Sequence, residues 1–236
     1  MHLLADTTDR HLEPELMDDP ALDAGSHRLA LRGLARINIV SRSAAALCKA
    51  LCGQLAGRDG PVRVLDVACG GGDVTVSVQR IADRRGIPMR VDGCDISPTA
   101  VDRATRQAGH CSSEARFFQH DALNGPLPSG YDAIISNLFL HHLSHDQAVG
   151  LLARMSQATD TVIINDLARG PMGYAAARLG TRLLSRSPIV HIDGPLSVRA
   201  AFTPVEVRAL ADRAGLKEAK IEPRFPFRWL LSWSRR

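Results

Sequence analysis

A chain of 236 residues with 45% hydrophobic content fits one domain with additions and can bury a sizeable core. It holds no apolar run near the ~18 residues that a bilayer span needs, and Met1-His-Leu-Leu-Ala-Asp6 lacks the basic start and long apolar centre of a signal peptide. Five cysteines without Cys-x-x-Cys spacing fit reduced thiols and a cytoplasmic protein, while a net charge of +4 and a pI near 9.0 permit an acidic or nucleic-acid partner without arguing for one.

Residues 1–26 carry Asp6, Asp9, Glu13, Glu15, Asp18, Asp19 and Asp23 against the single arginine Arg10. Residues 27–58 reverse this, with Arg28, Arg32, Arg36, Arg42, Lys49 and Arg58 and no acid. Leu31, Leu34, Ile37, Val40 and Leu47 recur close to a helical period, so one or two amphipathic helices are expected here. The acidic leader either covers them, folds over a ligand as a lid, or stays a solvated segment. We therefore expect a leader and helical lid over 1–58 and a main domain over 59–236, together one structural domain.

The chain next reads Val64-Leu-Asp-Val-Ala-Cys-Gly-Gly-Gly-Asp73. An apolar strand breaks into three glycines and resumes with helix-compatible residues: strand, tight turn, helix. Gly70 and Gly72 allow positive φ and close approach of a ligand, which the N–H groups of the following helix then face. A second strand ends at Asp95, which a parallel sheet places beside the turn, suited to a ribose diol. Thr75 stands where a dinucleotide fingerprint needs its third glycine. Asp66, just inside the strand end, would repel a pyrophosphate but suits an ammonium.

Strands are expected near 62–67, 90–95, 115–119, 131–136 and 160–166 with helices between, which makes a parallel sheet covered on both faces. Pro98 suits a helix start. Residues 167–203 interrupt the alternation as a cap insertion at the carboxyl edge of the sheet, the natural place for a lid over a pocket. Within it Arg178, Arg182 and Arg186 recur every four residues, as on a solvated helix face, and His191 and Asp193 fall in a Gly/Pro-bounded loop. Thr203-Pro-Val-Glu206 reads as a helix capping box. Phe225, Phe227, Trp229, Leu231 and Trp233 alternate as one face of a strand, which with 217–222 would form a terminal antiparallel hairpin. Bordered by Arg228, Arg235 and Arg236, the rings also allow docking at a membrane surface.

Asp66-x-Ala68-x-Gly70-x-Gly72, followed by Asp95, resembles the Asp-x-Gly-x-Gly-x-Gly motif of class I S-adenosylmethionine-dependent methyltransferases, with Ala68 replacing the first glycine. The resemblance covers roughly residues 60–166 and extends to the terminal hairpin. It implies an α/β, Rossmann-like, seven-stranded, mostly parallel sheet with S-adenosylmethionine as cofactor and S-adenosylhomocysteine as product. Its cofactor shell would be Asp66, Ala68, Gly70 and Gly72 for the methionine portion, Asp95 with Ile96 for the ribose, Asp121 for the adenine amino group, the Ala122 N–H for the ring, and Asn137 at the fourth strand's end. Asp121 also fits a plain helix cap.

Asn137-Leu-Phe lacks the prolines of enzymes that methylate nucleic-acid bases. Leu140-His-His-Leu143 is similar instead to the ubiquinone and menaquinone methyltransferases. The resemblance places His142 as a base that deprotonates a phenol, with His191 as second choice; the plain alternative is that His141 or His142 only anchors a helix start. The leader and insertion resemble bacterial enzymes of secondary metabolism acting on phenolic, polyketide- or isoprenoid-derived molecules. The expected reaction is methyl transfer to an oxygen or carbon of a small hydrophobic substrate, with a homodimer allowed. His141 and His145, four apart, with Asp166 at the next strand's end are the metal set that spacing allows, and no metal is required. The rivals are an rRNA or tRNA methyltransferase, for which no basic-aromatic appendage is seen, and a non-catalytic protein that binds the cofactor for a partner enzyme.

Overall fold

A computed structural model of the chain describes residues 7–19, 21–58 and 60–235. Asp6 of the acidic leader and Arg236 of the basic tail lie outside them. Two helices, α1 (Ala24–Val40) and α2 (Ser43–Gln54), precede the sheet. Five strands follow, with a helix in every connection but one: β1 (Val62–Val67), α3 (Asp73–Arg84), β2 (Met89–Asp95), α4 (Pro98–His110), β3 (Phe117–Gln119), β4 (Ala133–Asn137), α5 (His145–Ala158) and β5 (Thr161–Leu167). The helix expected between the third and fourth strands is absent, because residues 120–132, with Gly125, Pro126, Pro128 and Gly130, form turns instead. The cap α6 (Pro171–Leu184) and α7 (Pro188–Ala200), then α8 (Pro204–Arg213), β6 (Lys220–Arg224) and β7 (Arg228–Ser234) complete the chain.

The seven strands lie in the order β3-β2-β1-β4-β5-β7-β6. The first five are parallel, β7 runs antiparallel to β5, and β6 runs antiparallel to β7. The order reverses between β1 and β4, so a crevice opens beyond their carboxyl ends, where open α/β sheets bind ligands. Successive strand residues point to opposite faces, and both faces are covered. Leu65, Ile134, Ile164 and Leu231 pack with α5 and α8. Val64, Val91, Ile135 and Ile163 pack with α2 and α3. The caps follow local sequence: Ser97 and Pro98 start α4, and the Thr203/Glu206 capping box starts α8.

Two further expectations need correction. Residues 188–200 form a helix, not a loop, although Pro195 sits inside it. Gly194 serves helix packing there, because a Cβ at that position would overlap the Thr181 methyl of α6. The terminal aromatic alternation is only partly strand. Trp229, Leu231 and Trp233 share the buried face of β7 toward α5 and α8, but Phe225 and Phe227 lie in the preceding turn, and Phe225 is 87% exposed. Arg228 does not border the rings on the surface. It is buried, with its guanidinium donating to the Ser41 and Ser43 hydroxyls.

Candidate active site

The β1–α3 turn takes the left-handed backbone at three places: Ala68 (φ 57°), Gly70 (φ 55°) and Gly72 (φ 74°). Gly72 has no alternative, since a Cβ there would stand 2.7 Å from Ala104 and 3.0 Å from the Phe117 ring. Gly70 faces open space instead. Ala68 adopts the conformation despite its methyl, at a cost of about 1–2 kcal/mol. Asp95 holds the turn: one oxygen accepts the Gly70 N–H at 2.8 Å and the other the Ser97 N–H at 2.9 Å.

Asp66 is buried below the turn. Its Oδ2 accepts the Thr75 hydroxyl at 2.6 Å, and its Oδ1 has no partner among the described residues. Burial pushes its carboxyl up to about 7, opposed by the Thr75 bond and reinforced by Asp73 and Asp95. Asp73, the first residue of α3, is also raised by burial, against a 3.0 Å bond from the Asn38 side chain. Three carboxylates thus converge with one orphan oxygen, which fits the ammonium and sulfonium charges of S-adenosylmethionine. The flanking Cys69 and Cys94 thiols are pushed up by burial, Cys94 to about 12, as suits inert filling.

These groups line one end of a cavity of about 740 Å³, within the usual size of small-molecule sites. Asp66, Ala68, Gly70, Asp95, Ile96, Asp121, Ala122 and Asn137 all border it, and Gly72 stands behind the turn. Asp121 caps a turn at the same time: Asn124 donates from its side chain at 2.7 Å and Leu123 from its N–H at 2.9 Å, which holds the carboxyl low. No helix starts there. Asn137 accepts from the Asn165 side chain at 2.7 Å.

The other end belongs to His142 and to a residue the motifs did not indicate, Glu15. His141 and His142 form a single helical turn after β4, their rings 4.3 Å apart. His141 is buried, with Nδ1 2.6 Å from an Asp166 oxygen. Burial pushes the Asp166 carboxyl up, but the His141 ring and the Leu167 N–H outweigh it and hold the carboxyl low. Nε2 of His141 then faces Glu15 Oε1 at 3.8 Å, and Nε2 of His142 faces Glu15 Oε2 at 4.0 Å. The three ligand atoms lie within 4.8 Å of one another, so this set can take a divalent cation or hold a proton. The set expected from sequence is not assembled, because His145 turns edge-on to Phe202 at 5.2 Å.

Glu15 arrives on the leader, whose described residues are tied down at several points from Thr7 onward. Arg10 donates to the carbonyls of Ala200, His141 and Leu143 and lies 3.8 Å from the centre of the Phe202 ring. The Leu16 and Met17 N–H groups each donate to Asp193 at 3.0 Å, and the Ser197 hydroxyl donates to Glu15 at 2.5 Å. Arg169 makes a two-point pair with Glu206 and binds the Thr7 carbonyl. The leader therefore crosses the cavity mouth on α7. His191 is not brought to the cavity: its Nε2 rests 2.8 Å from the Ser185 carbonyl. Asp193 clasps the leader.

Residues 64–161 match the family described as a methyltransferase domain. Over 176 residues, 69% of this chain and 77% of the relative, the chain is 31% identical to a demethylmenaquinone methyltransferase of Thermus thermophilus. By fold it is similar to an O-methyltransferase family 2 protein from Planctomyces limnophilus DSM 3776 in complex with apigenin (TM-score 0.65, 20% identity), covering 92% of this chain and 63% of that one. It is also similar to the magnesium protoporphyrin IX methyltransferase of Synechocystis PCC 6803 with bound S-adenosylhomocysteine (TM-score 0.58, 17% identity, 92% and 90% covered).

Proposed function

The chain belongs to the class I S-adenosylmethionine-dependent methyltransferases, and from that premise we propose that it methylates an oxygen or carbon of a small phenolic, polyketide- or isoprenoid-derived acceptor. The observation that carries the proposal is one cavity with two chemically different ends. Asp66, the glycine turn and Asp95 lie at one end, and His142 with Glu15 at the other. In this reading Asp66 takes the ammonium, Asp95 the ribose hydroxyls beside Ile96, and Asp121 with the Ala122 N–H the adenine; Asn137 borders the passage between the ends. S-adenosylmethionine, when bound, supplies an electrophilic methyl group.

His142 Nε2 accepts the acceptor's hydroxyl proton, and the Glu15 carboxylate stabilises the imidazolium that results. Asp166 holds the neighbouring His141 ring in one tautomer, which fixes the turn carrying His142. The leader and the cap, within 1–58 and about 167–203, exclude water and align the reactants. A small phenol is supported by the strapped cavity, by the relative named for demethylmenaquinone and by the structural neighbour bound to apigenin. The test is transfer of labelled methyl from S-adenosylmethionine to a panel of naphthoquinols and flavonoid phenols, with the methylated atom located by mass spectrometry. Methylation of RNA but of none of these would overturn the reading.

A further inference from the structure

We propose that the outer face of α6, with the adjoining end of α1 and the β6–β7 turn, docks on an anionic lipid surface. Helix α6 is amphipathic in the unusual sense. Gly173 and Thr181 face inward, while Met172, Leu179 and Leu183, at spacings of seven and four, form a stripe toward solvent. At 1.5 Å per residue the stripe is about 16 Å long, and Leu183 at its end is 84% exposed.

Neighbouring elements extend the stripe into a patch. Gly33 of α1 abuts Ser185, so closely that a Cβ would overlap it, and Arg36 reaches the Leu184 carbonyl. At the opposite end Ser41 and Ser43 bind Arg228, and a Cβ on Gly173 would come within 3.3 Å of the neighbouring Phe227. The two helices therefore run antiparallel, side by side. This brings the exposed Ile39 and Val40 of α1 and Phe225 of the turn to the Met172 end. Single exposed leucines are ordinary, but a contiguous apolar patch marks an interaction surface.

The charges select the occupant. Residues 27–42, 171–192 and 223–228 contain no Asp or Glu. Arg36, Arg42, Arg182 and Arg186, all exposed, rim the apolar residues. A patch meeting a second copy of itself would face arginine with arginine, whereas bilayer headgroups supply the missing negative charge and the acyl region takes the side chains. No helix among the described residues is long and apolar enough to cross a membrane, so attachment would be at the surface. Helix α1 also lines the cavity through Leu31, Leu34 and Asn38, which places the docked face next to the site. The inference does not depend on which acceptor is methylated.

The experiment is co-sedimentation of the full chain with vesicles of phosphatidylcholine containing about one quarter phosphatidylglycerol, and with phosphatidylcholine alone, at about 0.1 M and about 0.5 M salt. Binding should be at least tenfold stronger to the anionic vesicles and should weaken at high salt. Leu179→Glu/Leu183→Glu should lower it at least tenfold, and Arg182→Gln/Arg186→Gln, which removes two of the four rim arginines, should reduce the salt dependence by about half. Val205→Glu, at an exposed apolar position of α8 outside the patch, should bind as the parent does. Unchanged S-adenosylhomocysteine affinity in each variant separates loss of docking from loss of fold or of the cofactor site. No binding to anionic vesicles overturns the proposal, as does equal loss with Val205→Glu. A dimeric parent that Leu179→Glu/Leu183→Glu makes monomeric, without vesicle binding, would assign the patch to contacts between copies.

Discussion

Asp66 offers the sharpest test, because its burial and its orphan oxygen make cofactor affinity depend on pH in a calculable way. Its carboxyl is pushed up to about 7 by burial, with Asp73 and Asp95 adding to the shift. If only the ionised form holds the ligand's ammonium, affinity follows the ionised fraction. That fraction falls from about one half near pH 7 to about one thirtieth near pH 5.5, a loss of about 16-fold, or roughly 1.6 kcal/mol. Calorimetry with S-adenosylhomocysteine, which carries the same amino-acid end, reads this directly, and proton release on binding should appear near pH 7. Asp66→Asn keeps an acceptor for Thr75 but has no charge to titrate. Its affinity should be lower by about 1–3 kcal/mol near pH 7.5, with this acid limb gone. The stability of the ligand-free protein should move oppositely. The folded carboxyl holds its proton up to about pH 7 and the unfolded one only to its ordinary 3.8, so stability falls as pH rises between these values, by at most about 4 kcal/mol. Asp66→Asn should therefore raise the Tm of the empty protein near pH 8. Affinity that stays constant from about pH 7 to about pH 5.5, or a variant that keeps the full acid limb, would refute the assignment.

Asp95→Ala removes the acceptor that holds the Gly70 and Ser97 N–H groups, and calorimetry should show S-adenosylmethionine binding weakened by about 1–3 kcal/mol; unchanged affinity would detach Asp95 from the cofactor. His142→Ala should lower kcat by roughly 10²–10⁴-fold with cofactor affinity nearly intact, and the loss should shrink at high pH, where a phenol with pKa near 10 ionises unaided. Full activity would make His142 a packing residue. Glu15→Gln should also lower kcat, by roughly tenfold or more, because a neutral amide stabilises an imidazolium less; an effect on KM alone would leave Glu15 a binding residue. Activity should survive EDTA, and loss restored by a divalent ion would assign Glu15, His141 and His142 as metal ligands instead.

The sheet was legible because its signals are local. Apolar runs of five to seven residues, a glycine turn and the proline-marked starts of α4 and α8 each act within a few residues, and the observed strands depart from the expected ones by one or two residues at most ends. Expectation failed where a residue's usual meaning was overridden by packing. Gly194-Pro195 reads as a break, yet Gly194 lies inside α7 because Thr181 of α6 presses on it. Phe225 and Phe227 continue the alternation of β7 in sequence but fall in the turn, where pairing with β6 has ended.

The same distinction separates the two ends of the site. The proposed cofactor end is written in short local signals, since one turn and the end of the next strand supply Asp66, Gly70 and Asp95. The acceptor end is not, because Glu15 meets His141 across 126 positions and no period or spacing links them. Composition held one trace of it. Arg10 is the only arginine in an acidic leader, and a lone cation among seven carboxylates that nevertheless binds backbone carbonyls is an anchor rather than a solubilising charge. Arg10 is desolvated enough that its guanidinium is lowered to about 10, with the Glu206 and Asp166 carboxylates opposing the shift; the well-placed carbonyls and the Phe202 ring add to what makes its burial tolerable. A leader bound by such a contact holds Glu15 beside the histidines, so this end of the cavity is assembled by docking one segment of the chain onto a helix, α7, that lies over 150 residues away.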